Sequence, residues 1–178
     1  MKLLRKAIKI AKKAHLGQFR KYGHFYVPYV QHPLRVMARV ALRGGVNENV
    51  LAAAILHDVL EDSSIKYDGL LRRGIPRPVV RLVVELTNPS KGMKAPRATR
   101  KRIDREHLAK VSVQAKIIKL ADRIDNVRES IDDGETPRDW LKTYLRESEL
   151  LLEVLRGTDA SLESELLAEL RRGKKLCA

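Results

Sequence analysis

Cysteine is almost absent: Cys177 stands alone in 178 residues. That excludes an intramolecular disulfide framework and a cysteine-rich zinc module. Aromatic residues are scarce, at 4%, so a core has to be built from Leu, Ile, Val and Ala. No apolar run approaches the length of a membrane-spanning helix, and the longest notable stretch runs from Val50 to Leu56. The opening segment MKLLRKAIKIAKKAH carries a charge every few residues, so it lacks the apolar centre of a secretion signal. The chain shows no Gly-rich phosphate loop of the P-loop type, no Ser-His-Asp arrangement, no internal repeat and no alternating strand pattern of useful length. These absences predict a soluble, cytoplasmic protein, and the length suits one domain with at most an appended helical element.

Acidic residues are missing from the first 22 positions, which hold eight basic ones. The whole chain carries 36 Lys and Arg against 22 Asp and Glu, a net of +14. The excess is uneven. Residues 1–128 hold 28 basic and 10 acidic side chains, a net of +18, whereas residues 132–170 hold 4 and 11, a net of −7. A basic body suits an anionic partner: nucleic acid, a phosphorylated metabolite or an anionic membrane surface. The same charge also serves plain solubility or heat adaptation. The acidic stretch has two available partners, the basic body of its own chain or that of a second copy in a homo-oligomer.

Apolar residues recur at helical spacing along the chain. The pattern predicts helices over 2–16, 33–43, the segment VLAAAILHDVLED (50–62), a short stretch from Pro76 to Leu86, 113–129, the leucine-rich segment behind Pro137, and about 160–172. Asn47 or Asn49 can cap the third, and Thr136-Pro137 predicts a cap followed by proline at the first helical position. Val113, Ile117, Leu120, Ala121 and Ile124 share one face. Residues 17–31 read as a loop interrupted by Gly17, Gly23 and Pro28, and PSKGMKAP (89–96) reads as a mobile loop. The predicted fold class is all-α.

The chemistry concentrates where charge interrupts apolar helices. His57-Asp58 follows the apolar turn Ala52 to Leu56, and Glu61 and Asp62 come one turn later. A charged Asp on an otherwise buried helix is costly unless something pairs with it. On one continuous helix His57 would stack over Glu61, and Asp58 over Asp62. Carboxylates this dense repel, so a cation is the natural partner. His32 opens another apolar helix, and Asp122 interrupts a further one, with Asn126 one turn later. A set of His32, His57, Asp58 and Asp122 would supply two nitrogen and two oxygen donors, which suits octahedral Mn²⁺ or Fe²⁺ better than structural zinc. Taken singly, each residue is equally a cap, a salt-bridge partner or a solvent-facing acid.

The pattern His32, His57-Asp58, Asp122 resembles the HD superfamily of metal-dependent phosphohydrolases, and more closely the hydrolase domain of RelA/SpoT-type enzymes and their small stand-alone relatives. The segments that carry the resemblance are AHLGQFRKYG (14–23), PYVQHPLRVM (28–37), AAILHDVLED (53–62) and KLADRIDNVR (119–128). The resemblance implies an HD-domain helical bundle over residues 1–130, with a C-terminal helical extension over 131–178 packed on it. It implies hydrolysis of the 3′-pyrophosphate of (p)ppGpp, with one Mn²⁺, or Fe²⁺ or Co²⁺, on His32, His57, Asp58 and Asp122. Glu61 and Asp62 would orient and deprotonate the attacking water or protonate the leaving group. Arg20 and Lys21 would contact phosphate or stack on guanine, Asn126 would hydrogen-bond the nucleotide, and Arg128 would support the site. An alarmone hydrolase with no synthetase domain would degrade the nucleotide and not make it.

The segment HFYVPY places Arg20 and Lys21 farther from His32 than the resemblance implies, and 91–105 is unusually basic, either a phosphate-steering flap or a solvated helix face. His15 reads as structural, and His24 and His107 as surface residues. Tyr22, Phe25, Tyr26 and Tyr29 either stack on a base or pack the loop onto the body. Two other functions remain open from the residues: hydrolysis of another nucleotide, and nucleic-acid binding without catalysis.

Overall fold

The computed structural model describes residues 2–178, with Tyr22 described by its backbone alone. Ten helices and one hairpin follow one another among the described residues. They are α1 (Lys2–Ala14), β1 (Phe19–Tyr22), β2 (Phe25–Pro28), α2 (Gln31–Ala41), α3 (Glu48–Leu56), α4 (Val59–Asp62), α5 (Tyr67–Arg72), α6 (Arg77–Leu86), α7 (Arg97–Leu108), α8 (Val113–Asp132), α9 (Arg138–Leu155) and α10 (Ala160–Cys177). None is long and apolar enough to cross a membrane. The all-α class stands, with a small sheet added.

Local chemistry sets the helix starts. The side chains of Asn47, Ser112 and Asp159 accept the backbone N–H of Val50, Ala115 and Leu162, which satisfies donors that an isolated helix leaves open. The cap expected at Thr136 does not form: the Thr136 hydroxyl donates to Asp133 at 3.0 Å, and α9 opens at Arg138 behind Pro137. The segment read as a loop is partly a hairpin, in which Arg20 pairs with Val27 and Lys21 with Tyr26. Its two-residue turn is Gly23-His24, with Gly23 at φ 57°, the positive-φ geometry that closes tight hairpins. The pairing was illegible because four-residue strands with mixed polarity give no alternation to read.

Two aliphatic clusters form the interior. One joins α1, α2, α3, α5 and α6 to the first half of α8 through Ala115, Ile118 and Ala121. The other joins the second half of α8, through Ile124, Val127 and Ile131, to the leucines of α9 and α10. Helix α8 is therefore covered on more than one face, and its buried polar residues Lys119, Asp122 and Asp125 have to find partners inside the fold. Val113 is the exception on its predicted face, 58% exposed at the helix start. Arginines of α2, of the turn behind it and of α8 meet the acids that follow α9: Arg43 binds Asp159, Arg39 binds Glu165, and Arg128 binds Glu165 and Glu169. The acidic stretch thus finds the basic body of its own chain.

Candidate active site

The apolar run of α3 does not continue through the acids. It ends at Leu56, and His57-Asp58 form a joint before α4 restarts at Val59. The expected stacking is therefore kept only in part: the Asp62 N–H still donates to the Asp58 carbonyl at 2.8 Å and the Tyr29 hydroxyl reaches both carboxylates, while Glu61 parts from His57. His57 and Asp58 turn inward toward α2 and α8. Glu61 turns aside to Asn88, whose backbone N–H donates to it at 2.7 Å. Asp62 accepts from the Lys91 ammonium.

His32 from α2 and Asp122 from α8 meet His57 and Asp58 at one point. The imidazole centroids lie 5.2 Å apart, edge to face. Asp58 Oδ2 stands 3.0 Å from His57 Nε2 and 3.7 Å from His32 Nε2. Asp122 Oδ1 stands 3.2 Å from His32 Nε2 and 3.7 Å from His57 Nε2. Both Nε2 atoms are buried without a hydrogen-bond partner. Ligand atoms about 2.1 Å from one ion stand roughly 3.0 to 3.4 Å from their neighbours, so the donor set fits a divalent cation.

Each of the four side chains has an outer partner that aims it. His57 Nδ1 donates to the Ala54 carbonyl at 2.8 Å, which leaves its Nε2 lone pair facing the centre. Asp58 accepts the Tyr29 hydroxyl at 2.7 Å. Asp122 accepts the Lys119 ammonium at 2.8 Å and the Asn126 amide at 2.5 Å. His32 Nδ1 faces Asp125 Oδ2 at 2.7 Å. Outer partners of this kind fix ring orientation and tautomer in metal sites. The electrostatics ask for positive charge. Burial pushes the His57 imidazole down, but Asp58 and Asp122 outweigh it and raise it to about 10. Burial would likewise raise Asp58 and Asp122. The imidazoles beside them, with the Lys119 ammonium for Asp122, hold both below the usual carboxylate range.

The HD domain family matches residues 7–145, a span that contains every one of these side chains. The chain belongs to the HD-domain family. It is 34% identical over 170 residues to the guanosine-3′,5′-bis(diphosphate) 3′-pyrophosphohydrolase MESH1 of Xenopus tropicalis, covering 92% of this chain and 90% of that one. It is 36% identical over 144 residues to the MESH1 of Drosophila melanogaster, covering 78% and 77%. A solved structure of a metazoan ortholog of SpoT, which hydrolyzes ppGpp and plays a role in starvation responses, matches with a TM-score of 0.84 and 32% identity, over 97% of this chain and 96% of that one. The enzyme class read from the sequence, a metal-dependent hydrolase, stands with the family.

The HD-domain centre opens into a cleft of about 450 Å³ lined by Asp58, Asp122 and Asn126 at its base and by cations along its walls. Arg20 is in that wall: its guanidinium donates to Asn126 at 2.9 Å and lies 4.8 Å over the Tyr29 ring. The hairpin makes up for the extra residues before His32 by folding Arg20 back onto the site. Lys21 also lines the cleft and pairs with Glu135 at its rim. Glu61 and Asp62 do not line it. They border a second cavity, of about 820 Å³, together with Lys6, Lys9, Lys13 and Arg73. Asp62 stays near the centre through Tyr29, whose hydroxyl is 3.3 Å from Asp62 Oδ2. Burial pushes the Glu61 carboxyl up.

Arg128 does not join the others. Its guanidinium binds α10 and lines a separate cavity, because α10 supplies two carboxylates on that side of α8.

Several cleft residues were missed in the sequence. Trp140 and Tyr144 stack at 4.8 Å on α9, and their i, i+4 spacing in so aromatic-poor a chain was a usable signal. Lys101 and Arg123 add positive charge. Burial and the Arg123 cation both push the Lys101 ammonium down, the condition of a cation short of counter-charge. The basic segment 91–105 is thus divided, with Lys91 on Asp62, Lys101 in the cleft and Arg97 bound to Glu147.

His15 is buried, with Nδ1 2.8 Å from Gln18 and its ring 4.8 Å from Tyr29. His24 is exposed beside Glu135. His107 is half-buried and bonded to the Glu85 carbonyl, so it ties α7 to α6 and is not a free surface residue. Phe25 and Tyr26 are exposed, and the Tyr22 side chain lies outside the described residues.

Proposed function

We propose that the protein is a manganese-dependent (p)ppGpp 3′-pyrophosphohydrolase that releases GDP or GTP and pyrophosphate. The observation that carries this reading is one composite surface. Two unpartnered imidazole nitrogens and two carboxylates converge at the base of a cleft whose walls hold Arg20, Lys101 and Arg123 beside Tyr29, Trp140 and Tyr144. A purine nucleotide with pyrophosphate groups needs those features together: aromatic faces for the base, guanidinium forks for phosphate, and a centre of charge at the reacting phosphorus. The names of the relatives support the same substrate.

His32, His57, Asp58 and Asp122 would hold the ion, and mixed nitrogen and oxygen donors suit Mn²⁺, with Fe²⁺ or Co²⁺ as substitutes. Bound there, a divalent ion supplies Lewis-acid charge and a more acidic water. The rest falls to the protein. Hydrolysis forms a bond from water oxygen to the 3′ phosphorus, breaks the bond from that phosphorus to the 3′ oxygen, and puts a proton on that oxygen. Glu61 stands beside the cleft, held by Asn88, which lines it, and its carboxyl, raised by burial, would carry the proton from there. Asp62, held by Lys91 and Tyr29, is suited to orienting water. Arg20 and Asn126 would fix the nucleotide, with Lys21 at the rim. Arg128 supports the site only from outside, through its hold on α10.

The test is incubation of the purified protein with ppGpp and Mn²⁺, with metal-stripped and Asp58→Ala controls, and separation of products by anion exchange. The expected result is metal-dependent GDP and pyrophosphate, absent from the variant. Tightly bound metal without turnover would overturn the substrate and leave the HD-domain chemistry for another nucleotide. Absence of both metal and turnover, with salt-sensitive RNA or DNA binding that survives Asp58→Ala, would overturn the enzyme reading in favour of a nucleic-acid module.

A further inference from the structure

The outer partners of the two histidines differ in kind. His57 leans on a neutral carbonyl, whereas His32 faces a buried carboxylate, Asp125, 4% exposed and 2.7 Å from Nδ1. Asp125 does not reach the cleft. It is instead gripped from behind: Arg35 Nε donates to Asp125 Oδ1 at 2.9 Å, and Arg35 Nη2 donates to Asp125 Oδ2 at 2.9 Å. Arg39 adds a third cationic contact at 3.6 Å. Arg35 is fixed in turn by Glu129 at 3.1 Å, and Glu129 also binds Arg20 in the cleft wall.

His32, Asp125 and Glu129 stand close enough together to suggest a second cation site. The guanidinium groups of Arg20 and Arg35 already fill that space, so those carboxylates have their counter-charge and are directed elsewhere. The carboxylate of Asp125 has one remaining target, the N–H of His32.

We infer that Asp125, locked by Arg35, is a positioning residue that sets the metal affinity of the centre through His32. The inference rests on the ligand set proposed above. A carboxylate that accepts the Nδ1 proton holds His32 in the tautomer whose Nε2 lone pair faces the ion, and makes that nitrogen a stronger donor. The bidentate fork of Arg35 keeps Asp125 from turning away, since two parallel hydrogen bonds fix a carboxylate plane where one does not. The relay reaches the centre from the side opposite the cleft. Arg35, at 40% exposure, borders a cavity of about 780 Å³ shared with Arg39 and Arg128.

The experiment strips the protein of metal and titrates Mn²⁺ in competition with a chelating dye. It compares the unmodified protein, Asp125→Asn and Arg35→Gln. Asp125→Asn is expected to bind Mn²⁺ about 10- to 100-fold more weakly, with ppGpp turnover lost at low Mn²⁺ and recovered as Mn²⁺ is raised. Arg35→Gln is expected to shift affinity in the same direction by less. It also carries the test if Asp125→Asn does not fold, because Arg35 is partly exposed. Unchanged Mn²⁺ affinity in both variants, with only a lower melting temperature, would overturn the inference and leave Asp125 a structural anchor. An unmodified protein that binds no Mn²⁺ would overturn the ligand set itself, a separate outcome.

Discussion

Tyr29 donates its hydroxyl to Asp58 at 2.7 Å, and its ring is covered by the Arg20 guanidinium at 4.8 Å. One side chain thus ties the hairpin, the cleft wall and the proposed metal centre together. Burial and the adjacent carboxylate hold the Tyr29 phenol protonated far above its ordinary range, so it stays a donor. Tyr29→Phe keeps the ring and removes the donor. It is expected to weaken Mn²⁺ binding or turnover by about tenfold or more, the usual cost of losing an outer partner of a metal ligand. Dye competition and initial rates measure it, and unchanged values for both would show that Asp58 needs no such support.

Glu61→Gln should separate binding from chemistry. The Asn88 backbone N–H can donate to an amide oxygen as it does to Glu61 at 2.7 Å, so that contact survives, and only the 3.2 Å bond from the Asn88 side-chain amide to the second oxygen is lost. The proton-carrying carboxyl does not. Turnover is expected to fall by about 10² to 10⁴, the range for a lost general acid or base. Metal content, measured by elemental analysis, is expected to stay near that of the unmodified protein. Loss of metal along with activity would place Glu61 among the ligands.

Gly173 sets how closely α10 approaches its neighbours. A Cβ there would meet Leu145 side-chain carbons at 2.8 and 2.9 Å and Ile131 Cδ1 at 3.0 Å. Alanine favours a helix over glycine by about 1 kcal/mol, but forcing a methyl into a packed core costs about 1 to 3 kcal/mol. The second effect wins where Leu145 is 1% exposed and has little room to move. Gly173→Ala is expected to lower the melting temperature by a few degrees, roughly 2 to 4 °C per kcal/mol at this size. A higher melting temperature would mean that α10 simply shifts outward.

The ion pair between Arg97 and Glu147 joins α7 to α9, with Arg97 Nε 2.7 Å from the carboxylate. Burial pushes the Glu147 carboxyl up, but the Arg97 fork overcomes it, and Glu147 lies below its ordinary 4.5. A depressed carboxyl contributes stability that is fully present above its unfolded value and is lost as pH falls through the folded one. Arg97 is 43% exposed, so the pair is worth under about 1 kcal/mol. Glu147→Gln is expected to lower the melting temperature slightly at neutral pH and to reduce its fall as the solution is acidified below the ordinary glutamate range. Thermal melts across that range check it, and an unchanged acid slope would show the pair to be silent.

Much of the centre was legible because its signal is local. His57, Asp58 and Asp122 stand out as charge inside apolar helical runs, and His32 precedes another such run, a placement that has to be compensated wherever the helices go. Asn47, Ser112 and Asp159 cap their helices by contacts three residues ahead; for the first of them spacing offers Asn47 or Asn49, and the structure takes Asn47. Asp125 was as legible as Asp122 by the same rule and was passed over. Its partner His32 is 93 positions away, and nothing in the local pattern points across that distance.

The sequence by itself determined the helical class, the aliphatic core and the residue types that gather for a cation, because periodicity and the cost of burying charge act within a turn or two. Tertiary structure decided the rest. The break at His57-Asp58 sends Glu61 to Asn88 and not over His57. The crossing of α2 on α8 sets Asp125 behind His32, and the seat of α10 draws Arg128 away from the cleft. Those outcomes depend on which helix faces meet, and that is fixed by packing among residues far apart in the chain.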